Sequence, residues 1–161
     1  MELRDAYDKN FKKIENVVLV RGEPLPEGMF HLVPEILVRH TDGQYLLMQR
    51  DACKPRGLMW EASAGGSALQ GETALEAAVR ELKEETGVSG EMTEIGILAD
   101  EKAHCIYAEY LCVTDCAKDS VTLQEGETVA YRWVSREELL SLPRDVLSTH
   151  RIQEMKPGLI I

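Results

Sequence analysis

The sequence predicts an α/β protein. Strand-like segments stand on both sides of one long amphipathic helix, further helical segments follow toward the C-terminal end, and no repeat, low-complexity tract or linker divides the chain. The 161 residues fit a single domain, 1–161, large enough to bury a core without disulfide or metal staples. Apolar residues make up 44% and charged residues 29%, the balance of an ordinary soluble globule. A net charge of −10 argues against wrapping a nucleic-acid polymer, which needs a basic surface, and against an anionic membrane face. Met1-Glu2-Leu3-Arg4-Asp5 opens without the apolar segment of a signal peptide, and no apolar run reaches membrane-spanning length, so a cytoplasmic location is expected. Cys53, Cys105, Cys112 and Cys116 lack paired Cys-x-x-Cys spacing. They read as free or buried thiols rather than as a zinc site built from Cys112, Cys116 and His104.

The elements follow in order. Residues 16–23 read as an early strand, broken by Pro24, Pro26 and Gly28. Residues 31–40 form a strand with Leu32, Ile36 and Val38 as its apolar positions, and Pro34 predicts an edge or a bulge there. Asp42-Gly43 tolerates positive φ and marks a hairpin turn into the strand 45–49, which ends at Arg50. A loop over 51–58 leads to a short strand at 59–63. Strands at 91–98 and 105–114, a polar connection over 115–126 and a strand at 129–134 complete the pattern. Ser135 with Glu138 spells a capping box for a helix, and a last helical segment spans 145–155 before Pro157 and Gly158.

The central helix carries the chemistry. Gly65, Gly66 and Gly71 make a turn-rich entry, and Gly87 supplies a left-handed stop. Leu75, Ala78, Val79, Leu82 and Thr86 recur at helical spacing and predict the buried stripe. The polar side holds five carboxylates, Glu72, Glu76, Glu81, Glu84 and Glu85, against two bases, Arg80 and Lys83. Glu81 and Glu85 share a face and repel by roughly a few tenths of a kcal/mol. Glu84 and Glu85 sit at the negative end of the helix dipole, where anions are disfavoured. Carboxylates kept in such a place suit a hard divalent cation, which takes oxygen ligands and completes its shell with phosphate.

Gly66, five residues, Glu72, seven residues, then Arg80-Glu81-Leu82-Lys83-Glu84-Glu85-Thr86-Gly87-Val88 resembles the Nudix box at every specified position. The resemblance implies a Nudix-type α/β/α sandwich with a mixed sheet. It also implies a metal-dependent hydrolase cleaving the diphosphate linkage of a nucleoside triphosphate or a nucleoside diphosphate derivative, with Mg2+, or Mn2+ in its place. Glu84 and Glu85 would bind metal, Glu81 would add a ligand or take the proton from water, Arg80 would orient the cluster, and the Gly66 carbonyl would supply a further oxygen. Glu72 is expected to brace the loop rather than to ligate. Arg50 and Arg56 are candidate phosphate-binding residues, because arginine forks match phosphate oxygens, with Lys54 beside them. Glu125 and Glu127 are alternative acids, Trp60 and Tyr107 are read as core aromatics before base-stacking ones, and His104 is not expected to be catalytic. A homodimer is consistent with the family.

The flanks 50–51, 55–60 and 64–66 look like the isopentenyl-diphosphate isomerase branch of the family. The isomerase's cysteine before the glycine and histidine after it fall here on Ala64 or Gly65 and on Ser67, and Cys53 is too far upstream to substitute. Isomerisation is therefore the alternative, together with a non-catalytic nucleotide-binding module. Position 103, where ADP-ribose-cleaving members often carry proline, is Ala103, which lowers that substrate reading.

Overall fold

The computed structural model describes residues 1–149 and 151–154, so Met155 and the end of the last expected helix lie outside the described residues. Nine strands and three α-helices occur among them. β1 (Leu3–Tyr7) and β2 (Lys13–Val20) form an antiparallel hairpin of their own. β3 (His31–His40), β4 (Tyr45–Arg50), β5 (Trp60–Glu61), β6 (Ala64–Gly65), β7 (Glu91–Asp100), β8 (Cys105–Thr114) and β9 (Thr128–Val134) build the main sheet. Its order runs β5-β4-β3-β8-β7, with β6 on β3 and β9 on β4. Only β3 with β8 is parallel, in unbroken register from His31 opposite Cys105 to His40 opposite Thr114, so the sheet is mixed.

Period-two alternation makes this sheet two-faced. Ile36, Val38, Leu46 and Met48 point to one side and pack against α1 (Ala74–Thr86) through Ala77, Ala78 and Leu82. Leu37, Tyr45 and Leu47 point to the other, where Leu139 of α2 (Arg136–Ser141) and Ile152 of α3 (Arg151–Glu154) cover them. The result is the α/β/α sandwich.

Several expectations need correction. β1 was not foreseen, and β2 starts and ends three residues before the predicted strand. Pro34 marks neither an edge nor a bulge, because β3 is central. The Pro34 carbonyl accepts from Gly66 N at 3.3 Å, so its missing N–H faces the side where β6 runs out, and no ladder bond is lost there. The last helical segment is divided into a 3₁₀ turn (Arg144–Val146) and α3. The apolar stripe of α1 is also rotated from the predicted one. Leu75 and Val79 are 47% and 48% exposed, whereas Ala77, Ala78, Leu82, Glu85 and Thr86 are buried. The sheet meets the helix on the side that carries Glu85, so a carboxylate takes a place the hydrophobic count gave to valine.

Leu82→Ala should therefore cost about 2–5 kcal/mol of unfolding free energy, because it empties a site only 1% exposed. Val79→Ala should stay within about 0.5 kcal/mol. Urea denaturation of both variants checks this; equal losses would restore the stripe read from the sequence.

Candidate active site

The loop that feeds α1 is clamped from both sides. Thr73 caps the helix by accepting from Glu76 N at 3.1 Å, and Glu76 returns the bond to Thr73 N at 2.9 Å. Glu72 accepts from Leu69 N at 2.8 Å and from Arg80 Nε at 2.6 Å, the bracing role expected of it. The Arg80 hydrogen bonds hold its carboxyl below the usual carboxylate range. Arg80 also donates to Glu81 at 2.8 Å, to Glu84 at 3.3 Å and to the Ser67 carbonyl at 3.2 Å. One guanidinium thus ties the glycine loop to three helix or loop acids.

Gly66 is fixed by space. A Cβ built on it would stand 2.5 Å from the Glu81 carboxyl carbon, closer than any side-chain carbon is found. Glu81 therefore lies directly over the glycine, mostly buried, and burial raises its pKa against the pull of Arg80. Glu85, only 7% exposed, stands one turn further on, near enough to Glu81 for the two carboxyls to influence each other's charge. Burial, then the charges of Glu81 and Glu61, push the Glu85 carboxyl up to about 9, while the Gly65 N–H donates to it and opposes the rise. Two carboxyls forced together in a dry site share a proton unless a cation takes its place.

These groups open into a cleft of about 250 Å³ whose wall includes Gly65, Gly66 and Glu85. It continues into an outer chamber of about 420 Å³ reaching Arg56, Asp100 and Ser148. The structure places Gly66, Glu85 and Arg50 on the wall of the inner cleft, with Glu81 over Gly66. Arg50 donates to Glu61 at 2.6 Å and to the Pro55 carbonyl at 2.9 Å. Glu84 is turned outward, half exposed, with Arg80 as its partner. Arg56 borders only the outer chamber, its Nη1 given to the Ser148 carbonyl. Lys54 is paired with Glu127, and Glu125 is exposed. Trp60 and Tyr107 already carry arginines on their rings: Arg132 at 4.6 Å and Arg151 at 3.7 Å from the centroids.

Sequence reading missed Glu61, Glu35 and Arg151. Glu61 sits in a two-residue strand too short to show a period, and burial raises its pKa in spite of Arg50. Glu35 and Arg151 are 116 residues apart yet joined by two hydrogen bonds, a pairing no local signal encodes. As the side chains stand, no three His, Cys, Asp or Glu among the described residues are set to hold a metal ion together. The donor set is nonetheless all oxygen, and the Glu81–Glu85 pair stands against the Gly65–Gly66 backbone, which suits a hard divalent ion. Cys112, Cys116 and His104 form no such group, and the four thiols are free.

The arrangement is a sandwich fold with an acid-bearing helix set against a glycine loop beside the cleft. A NUDIX domain match spans residues 29–153. An uncharacterized Nudix hydrolase of Listeria innocua is 33% identical over 146 residues, covering 88% of this chain and 85% of the relative. The CTP pyrophosphohydrolase of Escherichia coli is 33% identical over 115 residues, covering 71% of this chain and 82% of that protein. An isopentenyl-diphosphate Delta-isomerase of Nocardia farcinica is 38% identical over only 71 residues, 44% of this chain and 41% of the isomerase. The crystal structure of DR0079 from Deinococcus radiodurans overlays with a TM-score of 0.77 at 18% identity, covering 96% of this chain and 99% of that one. That identity speaks for a common fold alone. The chain belongs to the Nudix hydrolase family, whose members are pyrophosphohydrolases and typically depend on a divalent metal. Among the described residues no helix is long and apolar enough to cross a membrane.

Gly66→Ala should leave the melting temperature nearly unchanged, since the clashing atoms are the end of a flexible side chain. It should lower hydrolytic activity about tenfold or more by driving Glu81 off the loop. Wild-type turnover in a folded Gly66→Ala variant would show that the Gly66–Glu81 contact is packing only.

Proposed function

We propose that the chain is a Mg2+-dependent hydrolase, with Mn2+ as a substitute, that cleaves the anhydride of a nucleoside triphosphate or of a nucleoside diphosphate derivative. The observation that carries this reading is the buried Glu85, with the part-buried Glu81 behind it over Gly66, opening beside Gly65 and Gly66 into a cleft that Arg50 and Arg151 also line. Glu85 would hold the ion, Glu84 would join it only by leaving Arg80 and turning inward, and Glu81 would add an oxygen or accept the proton of the attacking water. Bound there, a divalent ion neutralises phosphate charge and acidifies water. Arg80 keeps Glu81 aimed at the loop, and Arg50, positioned by Glu61, offers its fork to phosphate. The CTP-cleaving relative supports a nucleoside triphosphate among the substrates.

The isomerase alternative has little to stand on. The flanking resemblance to that branch is real in sequence, but Ser67 takes the place of its histidine, with Oγ 3.5 Å from His31 Nδ1. Cys53 is exposed and reaches the Gly126 carbonyl at 3.6 Å, away from the cleft. An isoprenyl tail would also meet an outer chamber in which only Pro55, Ala103 and Tyr107 are not polar. The non-catalytic alternative has to explain why a binding module would bury two repelling carboxyls.

A panel of nucleoside triphosphates, nucleotide sugars, ADP-ribose and isopentenyl diphosphate, incubated with Mg2+ and scored by phosphate release after phosphatase coupling, tests the reading. Anhydride cleavage is expected, and Glu85→Gln should reduce it about a hundredfold with the fold intact. Binding without cleavage would favour the sensor, and conversion of isopentenyl diphosphate without phosphate release the isomerase.

The metal should compete with the proton on Glu85. Its folded pKa of about 9 lies above the ordinary 4.5, so between those values the metal-free fold binds a proton the unfolded chain does not. This contribution to stability is present at low pH and fades as pH rises toward 9. Added Mg2+ should therefore raise the melting temperature more at pH 8.5 than at pH 6.5. A pH-independent gain would place the ion elsewhere.

A further inference from the structure

The inner cleft and the outer chamber meet at a neck whose walls are common to both: Glu35, Arg50, Glu61, Tyr107, Thr149 and Arg151. A molecule with its anhydride at Glu85 has to pass this neck to use the outer chamber. Two arginines line it, each oriented by its own glutamate. Arg50 is held by Glu61, and Arg151 by Glu35, through Nε to Oε2 at 3.0 Å and Nη2 to Oε1 at 2.5 Å. The Arg151 guanidinium also stands over Tyr107, its carbon 3.7 Å from the ring centroid. These contacts use Nε, one edge of the fork and one face of the plane.

The backbone behind Arg151 is firmly seated for a residue so near the end of the chain. Ser148 N donates to the Trp60 carbonyl at 2.8 Å, next to a bridge between Trp60 and Leu147. Thr149 Oγ1 accepts from Arg151 N at 3.3 Å. Ile152 is buried in the core of the second face, and Gln153 donates to the Leu139 and Leu142 carbonyls at 3.2 and 2.8 Å. A long cationic side chain is thus pre-ordered at the neck, where its immobilisation cost is already met by folding.

We propose that Arg151 is a substrate-binding residue: with Arg50 opposite, it grips the phosphate of the anhydride that lies farther from the α1 carboxylates. Glu35 and Tyr107 are its positioning residues. The assignment rests on the hydrolase reading above and deepens it, since it makes the C-terminal segment part of the substrate site. It also sets the substrate class. A substrate with a second phosphate at this point, a diphosphate or triphosphate ester, is favoured, since a monophosphate ester would leave unused the edge of Arg151 that Glu35 does not occupy. Because Arg151 already covers the Tyr107 ring, that face holds a guanidinium rather than a nucleobase.

The test is calorimetric titration of imidodiphosphate, the nitrogen-bridged and hydrolysis-resistant analogue of diphosphate, into the whole chain with Mg2+. Arg151→Gln should weaken binding about tenfold or more in a chain that still folds, although its melting temperature should fall because Glu35 loses its partner. Arg151→Lys, which keeps the charge but has no planar fork to lie on Tyr107, should weaken it by roughly three- to fivefold. Binding of inorganic monophosphate should be weak in the wild type and unmoved by either variant. For hydrolysis of CTP, Arg151→Gln should raise KM more than it lowers kcat. Wild-type affinity for imidodiphosphate in Arg151→Gln, or in Arg151→Lys if the glutamine variant does not fold, overturns the assignment. So does a wild-type chain that fails to bind the analogue. The substrate panel judges the hydrolase reading separately, so anhydride cleavage with unchanged binding in both variants would sink the arginine and leave the enzyme.

Discussion

The site depends on one close approach, the Glu81 carboxylate lying where a Cβ on residue 66 would have to be. That approach brings the loop backbone down onto α1, and it does so at the turn of the helix that also carries Glu85. Arg80 keeps the contact in register by holding Glu72, Glu81 and the Ser67 carbonyl at once. The glycine has no unusual φ to accommodate; it is required because a carboxylate occupies its side-chain space. Once loop and helix are locked in this way, Glu85 cannot escape burial, and its charge has to be met by a proton or by a cation.

Electrostatic pairing then organises the rest of the cleft. Glu72, Glu61, Glu35 and Glu127 each have a basic partner: Arg80, Arg50, Arg151 and Lys54. Burial makes such pairs costly to break on one side only, so each fixes the direction of a side chain more than it adds stability. Glu85 differs from them. Its neighbours are the Gly65 N–H and other acids, which is the arrangement expected of a group that waits for a cation rather than for an arginine. The unpaired charge at Glu85 and the glutamate-held arginines thus lie on the wall of one cleft.

Much of this was legible in the sequence, and the reasons differ by residue. The α/β class followed from alternation in β3 and β4 and from the capping and stop signals of α1, all of which are local. The mutual placement of Gly66, Arg80, Glu81 and Glu85 was legible because it depends on spacing along one loop and one helix. The buried face of α1 was misjudged because hydrophobicity alone assigns Leu75 and Val79 inward, whereas the sheet covers the face shared with Glu85 and leaves both exposed. Pro34 misled because its missing N–H matters only if a neighbouring strand needs it. Glu35, Glu61 and Arg151 were beyond reach, since each meets its ion-pair partner and the cleft only when β3, β4, β5 and α3 converge. Nothing in the surroundings of Arg151 in sequence distinguishes it from the other arginines near the C-terminal end.

The central claim is that the Glu81–Glu85 pair is the seat of a divalent ion in contact with substrate phosphate. Its most direct test is a crystal of the chain grown with Mn2+ and a non-hydrolysable nucleoside triphosphate, with anomalous scattering collected at the manganese edge. The account predicts a peak within coordination distance, about 2.0–2.3 Å, of a Glu85 oxygen and of a phosphate oxygen. Ordered nucleotide in the cleft with no anomalous peak at Glu81 or Glu85 would contradict it.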